Sequence, residues 1–172
     1  MTQKKYELLK NDTITAPNGK TLYRIKSLIN FGVVVAGSLG GYIEKEDNLA
    51  HSGNAWVSDN ARVYGDARVS DNARVSDNAQ VYGDALVSDN ARVCSKKDLV
   101  WFSNVGTEYG TLTVFKTKEG KLFASRGCFK GTVDEFLAKS AKVHNERVKR
   151  EYQLLIEVAK SRLLGESYVP TF

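Results

Sequence analysis

The sequence is short of the residues from which many scaffolds and active sites are built. Cys94 and Cys128 are its only cysteines. Two thiols in 172 residues exclude a disulfide scaffold, and they are expected to be reduced in a cytoplasm. His51 and His144 are the only histidines. A site made of histidines alone needs three, and no mixed ligand set shows clustered spacing, so no metal centre is expected. No run of about 18 apolar residues occurs, which excludes a membrane-spanning helix. Met1-Thr-Gln-Lys-Lys-Tyr-Glu7 places no apolar stretch after its charges, so no secretory signal is expected. P-loop and Rossmann glycine patterns are missing, and no cofactor is expected.

What is present suits a soluble globular chain. Apolar residues make up 42% and charged residues 26%, and the length suffices to bury a core. The net charge of +5 is uneven: +2 over residues 1–50, −2 over 51–94 and +6 over 95–165. Such an excess favours anionic partners, and without poly-basic runs duplex nucleic acid is not expected among them.

A repeat dominates the middle. From Asn54 the chain reads NAWVSD, NARVYG, DARVSD, NARVSD, NAQVYG, DALVSD, NARV. Alanine recurs at 55, 61, 67, 73, 79, 85 and 91, and valine two residues after each. In extended backbone, residues two apart face the same way, so both point inward and the residue between them points out. The corner, Ser-Asp-Asn or Tyr-Gly-Asp, suits a bend, since Asn, Asp and Gly tolerate left-handed backbone. Six residues of helix advance about 600°, which drifts off any one face. Short strands bending after each unit fit a parallel solenoid, with three units per coil of 18.

These seven Ala-x-Val units resemble the hexapeptide-repeat proteins, which form left-handed β-helices. The expected fold is therefore mainly β, a left-handed parallel β-helix of about three coils. The resemblance extends upstream through Val33, Val35, Gly37, Leu39, Gly40-Gly41-Tyr42-Ile43 and Asn48-Leu49, read as an irregular first coil. Gly37-Ser-Leu-Gly-Gly-Tyr-Ile-Glu44 and Asn54-Ala-Trp-Val57 are similar to segments of small bacterial and phage-encoded repeat proteins of acyltransferase-like or polymer-forming type. The resemblance implies a homo-oligomer, a trimer or a multiple of trimers, joined through flat faces.

Residues 18 apart stack on one wall, about 4.8 Å apart. The outward columns are then Trp56/Arg74/Arg92, Arg62/Gln80 and Arg68/Leu86, with Tyr64 over Tyr82 at one corner, Asp59 with Asp77, and Asp71 with Asp89. Two readings stay open. Corner aspartates neutralise the arginines in a solvated ladder. Alternatively the columns bind an anion, with Arg62, Arg68, Arg74 and Arg92 on phosphate or carboxylate and Trp56, Tyr64 or Tyr82 stacking on a base. His144, Arg147, Lys149 and Arg150 form a basic stretch that either is a solvated helix face or adds to such a pocket.

Around the repeat we expect four segments. Residues 1–30 form a hairpin cap turning at Pro17-Asn18-Gly19, 31–95 the β-helix, 96–131 a strand and hairpin, and 132–172 a helical tail. Thr132 and Glu135 read as a capping box. The helices run to about Val143 and from Glu146 to Leu164, broken at His144-Asn145. The order of the tail also resembles that of phage-type repeat proteins.

Three functions are weighed. The first is a non-catalytic oligomeric binding protein, in its sharpest form a phage counter-defence sponge that sequesters a nucleotide-type signal in the host cytoplasm. The second is a divergent acyl-CoA-dependent transferase. Hexapeptide acyltransferases use a histidine on the coil, and His51 is the one candidate here; the projecting loop usual in those enzymes is missing. Cys128 beside His144 is weighed as a nucleophile against a buried structural thiol. The third is a scaffold or inhibitor that binds a host protein through residues 133–164. The first is the expected one, with no enzyme activity.

Overall fold

In the computed structural model, which describes residues 3–165, each complete repeat unit turns at its sixth residue. An antiparallel hairpin, β1 (Tyr6–Thr15) and β2 (Thr21–Ser27), and a third strand, β3 (Leu39–Ile43), come first. Two-residue strands follow at six-residue intervals: β4 (Trp56–Val57), β5 (Arg62–Val63), β6 (Arg68–Val69), β7 (Arg74–Val75), β8 (Gln80–Val81), β9 (Leu86–Val87) and β10 (Arg92–Val93). Then come β11 (Leu99–Val105), β12 (Gly110–Lys116), β13 (Leu122–Arg126), β14 (Phe129–Thr132), α1 (Val133–Val143) and α2 (Glu146–Leu164).

The corners explain the spacing. Asp59, Asp71, Asp77 and Asp89 have φ between 55° and 59°, and Gly65 and Gly83 have φ of 67° and 62°. Each unit thus places a left-handed residue at the same step, glycine after tyrosine and aspartate after serine. Left-handed backbone is costly for most side chains and least so for Gly, Asn and Asp. The aspartates add a bond that glycine lacks. Asp77 N–H donates to Asp59 Oδ2, and Asp89 N–H to Asp71 Oδ2, each at 3.1 Å.

Between corners, strands pair in parallel with those 18 residues away. One ladder is β4-β7-β10, joining Trp56, Arg74 and Arg92; another is β6-β9, joining Arg68 and Leu86. The third, β3-β5-β8, joins Tyr42, Arg62 and Gln80, and β1 and β2 extend it by antiparallel pairing. The seven alanines and seven valines all face inward, none more than 1% exposed. The upstream expectation needs correction. Tyr42, Ile43 and Leu49 join the coil ladders, but Val33 and Val35 are 75% and 64% exposed, and Leu39 is also exposed. The reason is that β2 pairs antiparallel with β3, so residues 28–38 cross between them as a loop and wind no wall.

Large side chains close a coil lined by small ones. At one end Tyr6 is fully buried, its hydroxyl donating to the Leu49 carbonyl at 2.6 Å. Beside it the buried Lys5 ammonium donates to the Ala55 carbonyl at 2.7 Å and lies over the Phe31 ring. At the other end Leu99 and Phe115 enter the same core. Thr113 Oγ1 accepts from Leu86 N–H, Ser125 Oγ donates to the Leu86 carbonyl, and Lys118 N–H donates to the Asn90 carbonyl. Backbone groups that would otherwise template another strand are therefore engaged.

A second core lies between the antiparallel sheet β11-β12-β13-β14 and the two helices, centred on Leu112, Phe136, Tyr152 and Ile156. Thr132 accepts from Glu135 N–H while Glu135 accepts from Thr132 N–H, a capping box, and Asn145 Oδ1 caps α2 through Val148 N–H. The part of the expected helical segment after residue 165 lies outside the described residues.

Two predictions follow from caps and corners. Burial holds the Lys5 ammonium down at about 8 from its ordinary 10.5. Between those values the unfolded chain binds more protons, so stability rises with pH. Burial first, then Glu46 and Asp47, pushes the Tyr6 phenol up from 10.0, so folded Tyr6 keeps a proton that the unfolded chain releases, and stability falls above about pH 10. Urea midpoints should therefore climb from pH 8 towards 10, and the climb should vanish in Lys5→Met; a slope unchanged in that variant would contradict the assignment. At the corners, Asp59→Ala should cost about 1–2 kcal/mol and Asp59→Gly less, because glycine adopts the conformation freely. Equal losses in urea melts would show that the left-handed backbone is not what selects these residues.

Candidate functional site

The structure sorts the expected ligand residues onto different walls. Arg74 and Arg92 stand in register on one ladder. Burial, and then the neighbouring Arg74 cation, holds the Arg92 guanidinium below its usual value. Its Nη1 donates to the Asn72 and Ala91 carbonyls. Among the described residues no arginine of the repeat forms an ion pair with a carboxylate. The repeat arginines are therefore not in direct ion-pair contact with the corner aspartates. Asp59 and Asp71 serve the corners, while Asp66 and Asp71 pair with Lys45 and Lys130 instead.

Trp56 tops the same column but is 5% exposed. Its ring is packed edge-on to Phe31 and Tyr6. The expectation that it stacks on a base is corrected, because the loop after β2 covers it. Tyr64 is buried likewise, among Ala16, Leu22 and Tyr42. Arg68 borders a groove of about 260 Å³ with Lys45, Asp47, Asp66 and Asp84, where carboxylates outnumber the cations and disfavour a further anion. Arg62 lies on the third ladder, between Tyr42 and Gln80.

One expected residue does meet suitable neighbours. Tyr82, 42% exposed, stacks on Tyr64 with ring centroids 5.2 Å apart and planes 8° from parallel. The Trp101 ring of β11 stands edge-on to Tyr82 at 4.8 Å. Gly83 makes this approach possible, since a Cβ there would lie 3.1 Å from Trp101 Nε1. Tyr82 and Trp101 line an open cleft of about 420 Å³ together with Gln80, Lys96, Leu99 and Arg162. Tyr64 Oη donates to Gln80 Oε1 at 3.3 Å, which holds the amide in place. Lys96 and Arg162 are exposed cations from the turn after β10 and the last turn of α2. The cleft therefore offers an aromatic floor, an amide and two positive charges. Sequence reasoning missed Lys96, Trp101 and Arg162. Only the Tyr-Gly corner pointed to the place, because nothing local shows that α2 returns to the coil.

The basic stretch sits elsewhere. His144 caps α1, its Nδ1 2.9 Å from Ser140 Oγ and its ring 5.4 Å from Tyr152. Lys149 pairs with Glu146 within α2, and Arg147 and Arg150 lie on the same helix. His144 and Cys128 border one cavity, and Cys128 is exposed, against the buried structural thiol weighed above. It occupies the tip of the β13–β14 hairpin.

His51 is held at both ring nitrogens. Its Nδ1 accepts from Lys5 N–H at 3.0 Å, which puts its proton on Nε2, and Nε2 lies 3.0 Å from Glu46 Oε1. Its ring stacks on Tyr6 at 4.2 Å. Neither nitrogen keeps a lone pair for a substrate proton, as a general base requires. Burial pushes the Glu46 carboxyl up, but hydrogen bonds from His51 and Lys4 outweigh it and hold the group below its usual value. Among the described residues no group of three or more His, Cys, Asp or Glu side chains could hold a metal ion, and no helix is long and apolar enough to cross a membrane.

Three overlapping stretches, residues 55–70, 67–81 and 79–95, match the family model described as the YdcK beta solenoid repeat. No curated protein matches the chain. The middle of this mainly β protein is thus a β-solenoid, similar in sequence to the repeat of YdcK and followed by a sheet and two helices.

Proposed function

We propose that this protein binds a small anionic ligand of nucleotide type without transforming it, and that the site is the Tyr82–Trp101 cleft. The observation that carries this reading is the convergence of an exposed, stacked tyrosine and a tryptophan edge with Lys96 and Arg162 around one opening. An aromatic face takes a base of any identity, worth about 1–3 kcal/mol per base. Cations at the rim meet phosphate oxygens through charge-assisted bonds. Both halves of the cleft rest on rigid elements, so little ordering accompanies binding. The engaged nitrogens of His51 favour this reading over acyl transfer.

The finer form is a left-handed coil of about three turns that self-associates, a trimer or a multiple of it. Support comes from Leu28, Val33, Val35 and Leu39, four exposed apolar side chains within the twelve residues from the β2–β3 loop to the start of β3. Patches of this kind on a small domain mark interfaces. The likeness of the repeat and tail to phage-encoded proteins supports the sharpest version, sequestration of a nucleotide signal in the host cytoplasm.

Native mass spectrometry of protein purified from cells tests both parts together. The expected result is a trimer-based mass with a retained phosphate-bearing ligand, released unaltered on denaturation. Tyr82→Ala should weaken binding of added adenosine monophosphate by about 1–3 kcal/mol. Lys96→Ala/Arg162→Ala should empty the protein, while Arg74→Ala/Arg92→Ala leaves it loaded. A chemically changed ligand, or loading that depends on the Arg74/Arg92 pair alone, would overturn the proposal.

A further inference from the structure

A second site is built into the tail, around an arginine that the coil does not use. Arg126 ends β13 and faces Phe129 across the two-residue turn Gly127-Cys128. Its Nε donates to Tyr152 Oη at 3.0 Å, and the Tyr152 ring is fixed in the second core by an edge-on contact with Phe136. The guanidinium fills the space beside Gly110 that a side chain would take. A Cβ on Gly110 would fall 2.8 Å from Arg126 Cζ and Nη1, and one on Gly106 would collide with Tyr152 Oη. The guanidinium is thus oriented on both sides, yet among the described residues only Nε–H of its five donors has a partner. Among the described residues Nη1 and Nη2 meet no acceptor, and the nearby Glu151 is engaged by Gly106 N–H at 2.6 Å.

Those free donors border a cavity of about 280 Å³. Lys139 adds a positive charge to its wall, His144 borders it, and Glu108 is the one carboxylate among the described lining residues. Lys139 lies over the Phe129 ring, and Phe129 and Phe136 supply an apolar side. A rigid arginine fork recognises two oxygens of one carboxylate or phosphate. A cavity just under the usual range for small-molecule sites takes a ligand of few heavy atoms. We propose that this cavity binds a small molecule with an oxyanion head, carboxylate or phosphate, on Arg126 and an aromatic or apolar body against Phe129 and Phe136. The site is separate from the Tyr82–Trp101 cleft and does not depend on it.

Cys128, exposed and on the cavity wall, reports occupancy. In full-length Cys94→Ser protein, alkylation of Cys128 by neutral iodoacetamide is followed by intact mass, with benzoate or phenyl phosphate as probe. Protection by one or both is expected, and which one protects distinguishes the carboxylate from the phosphate head. In Arg126→Gln the protecting concentration should rise by about tenfold or more, the scale of one charge-assisted hydrogen bond. If that variant does not fold, Arg126→Lys, which keeps the charge and loses the fork, must show the same direction. Lys96→Ala/Arg162→Ala should leave protection intact, so this site and the cleft fail or stand separately. Alkylation unaffected by either probe, or protection unchanged in a folded Arg126 variant, would overturn the proposal.

Discussion

Everything in this molecule depends on one repeated contact, the parallel backbone pairing of each short strand with the strand 18 residues further on. Each such strand is only two residues long. Neither its hydrogen bonds nor its buried alanine and valine would hold it alone. Stacking makes them cooperative, since every rung completes the bonds of its neighbours and the inward methyl groups form one continuous core. The interior is narrow, which is why alanine fills every first inward position. Its ends expose backbone, so the chain uses Tyr6, Lys5, Leu99 and Phe115 as plugs and attaches a hairpin to one wall and a sheet to the last rung.

The same geometry sets the electrostatics. Asp59 and Asp71 accept from amide groups one rung away, and among the described residues no arginine of the repeat lies in ion-pair contact with a carboxylate. The coil's arginines are therefore displayed, while Asp66 and Asp71 pair with lysines outside the repeat. Yet arginines on three walls do not converge on one ligand within a single chain. Convergence arises only where the tail folds back, bringing Trp101 and Arg162 to Tyr82 at the second Tyr-Gly corner. The tail thus closes the coil and supplies half of a cleft.

How much of this was legible in the sequence follows from the range of the interactions. The coil, its columns, the capping box at Thr132 and the helix break at His144-Asn145 depend on spacings of two to eighteen residues, and the repeat displays these directly. What was misread depends on contacts between distant segments. Trp56 occupies an outward position and is buried because Phe31 and Tyr6 come to it. His51 is held by an amide 46 residues away. Val33 and Val35 carry the right residue type for a wall, but β2 takes the pairing edge of β3 and leaves them in a loop. Strand β14 is four residues ending at a helix cap, too short to announce itself. The aromatic–cation cleft joins a corner, a sheet edge and a helix end, and no local pattern encodes that meeting.

The eighteen-residue register is the claim to test first. Spin labels at Arg74→Cys and Arg92→Cys, in protein with Cys94→Ser and Cys128→Ser, report it by dipolar broadening in frozen solution. Pairing of these residues on one ladder predicts strong broadening, well above that of a 74/86 pair placed on different walls. Equal broadening for the two pairs, or more for 74/86, would contradict the stacking and with it the position of every surface group described on the coil.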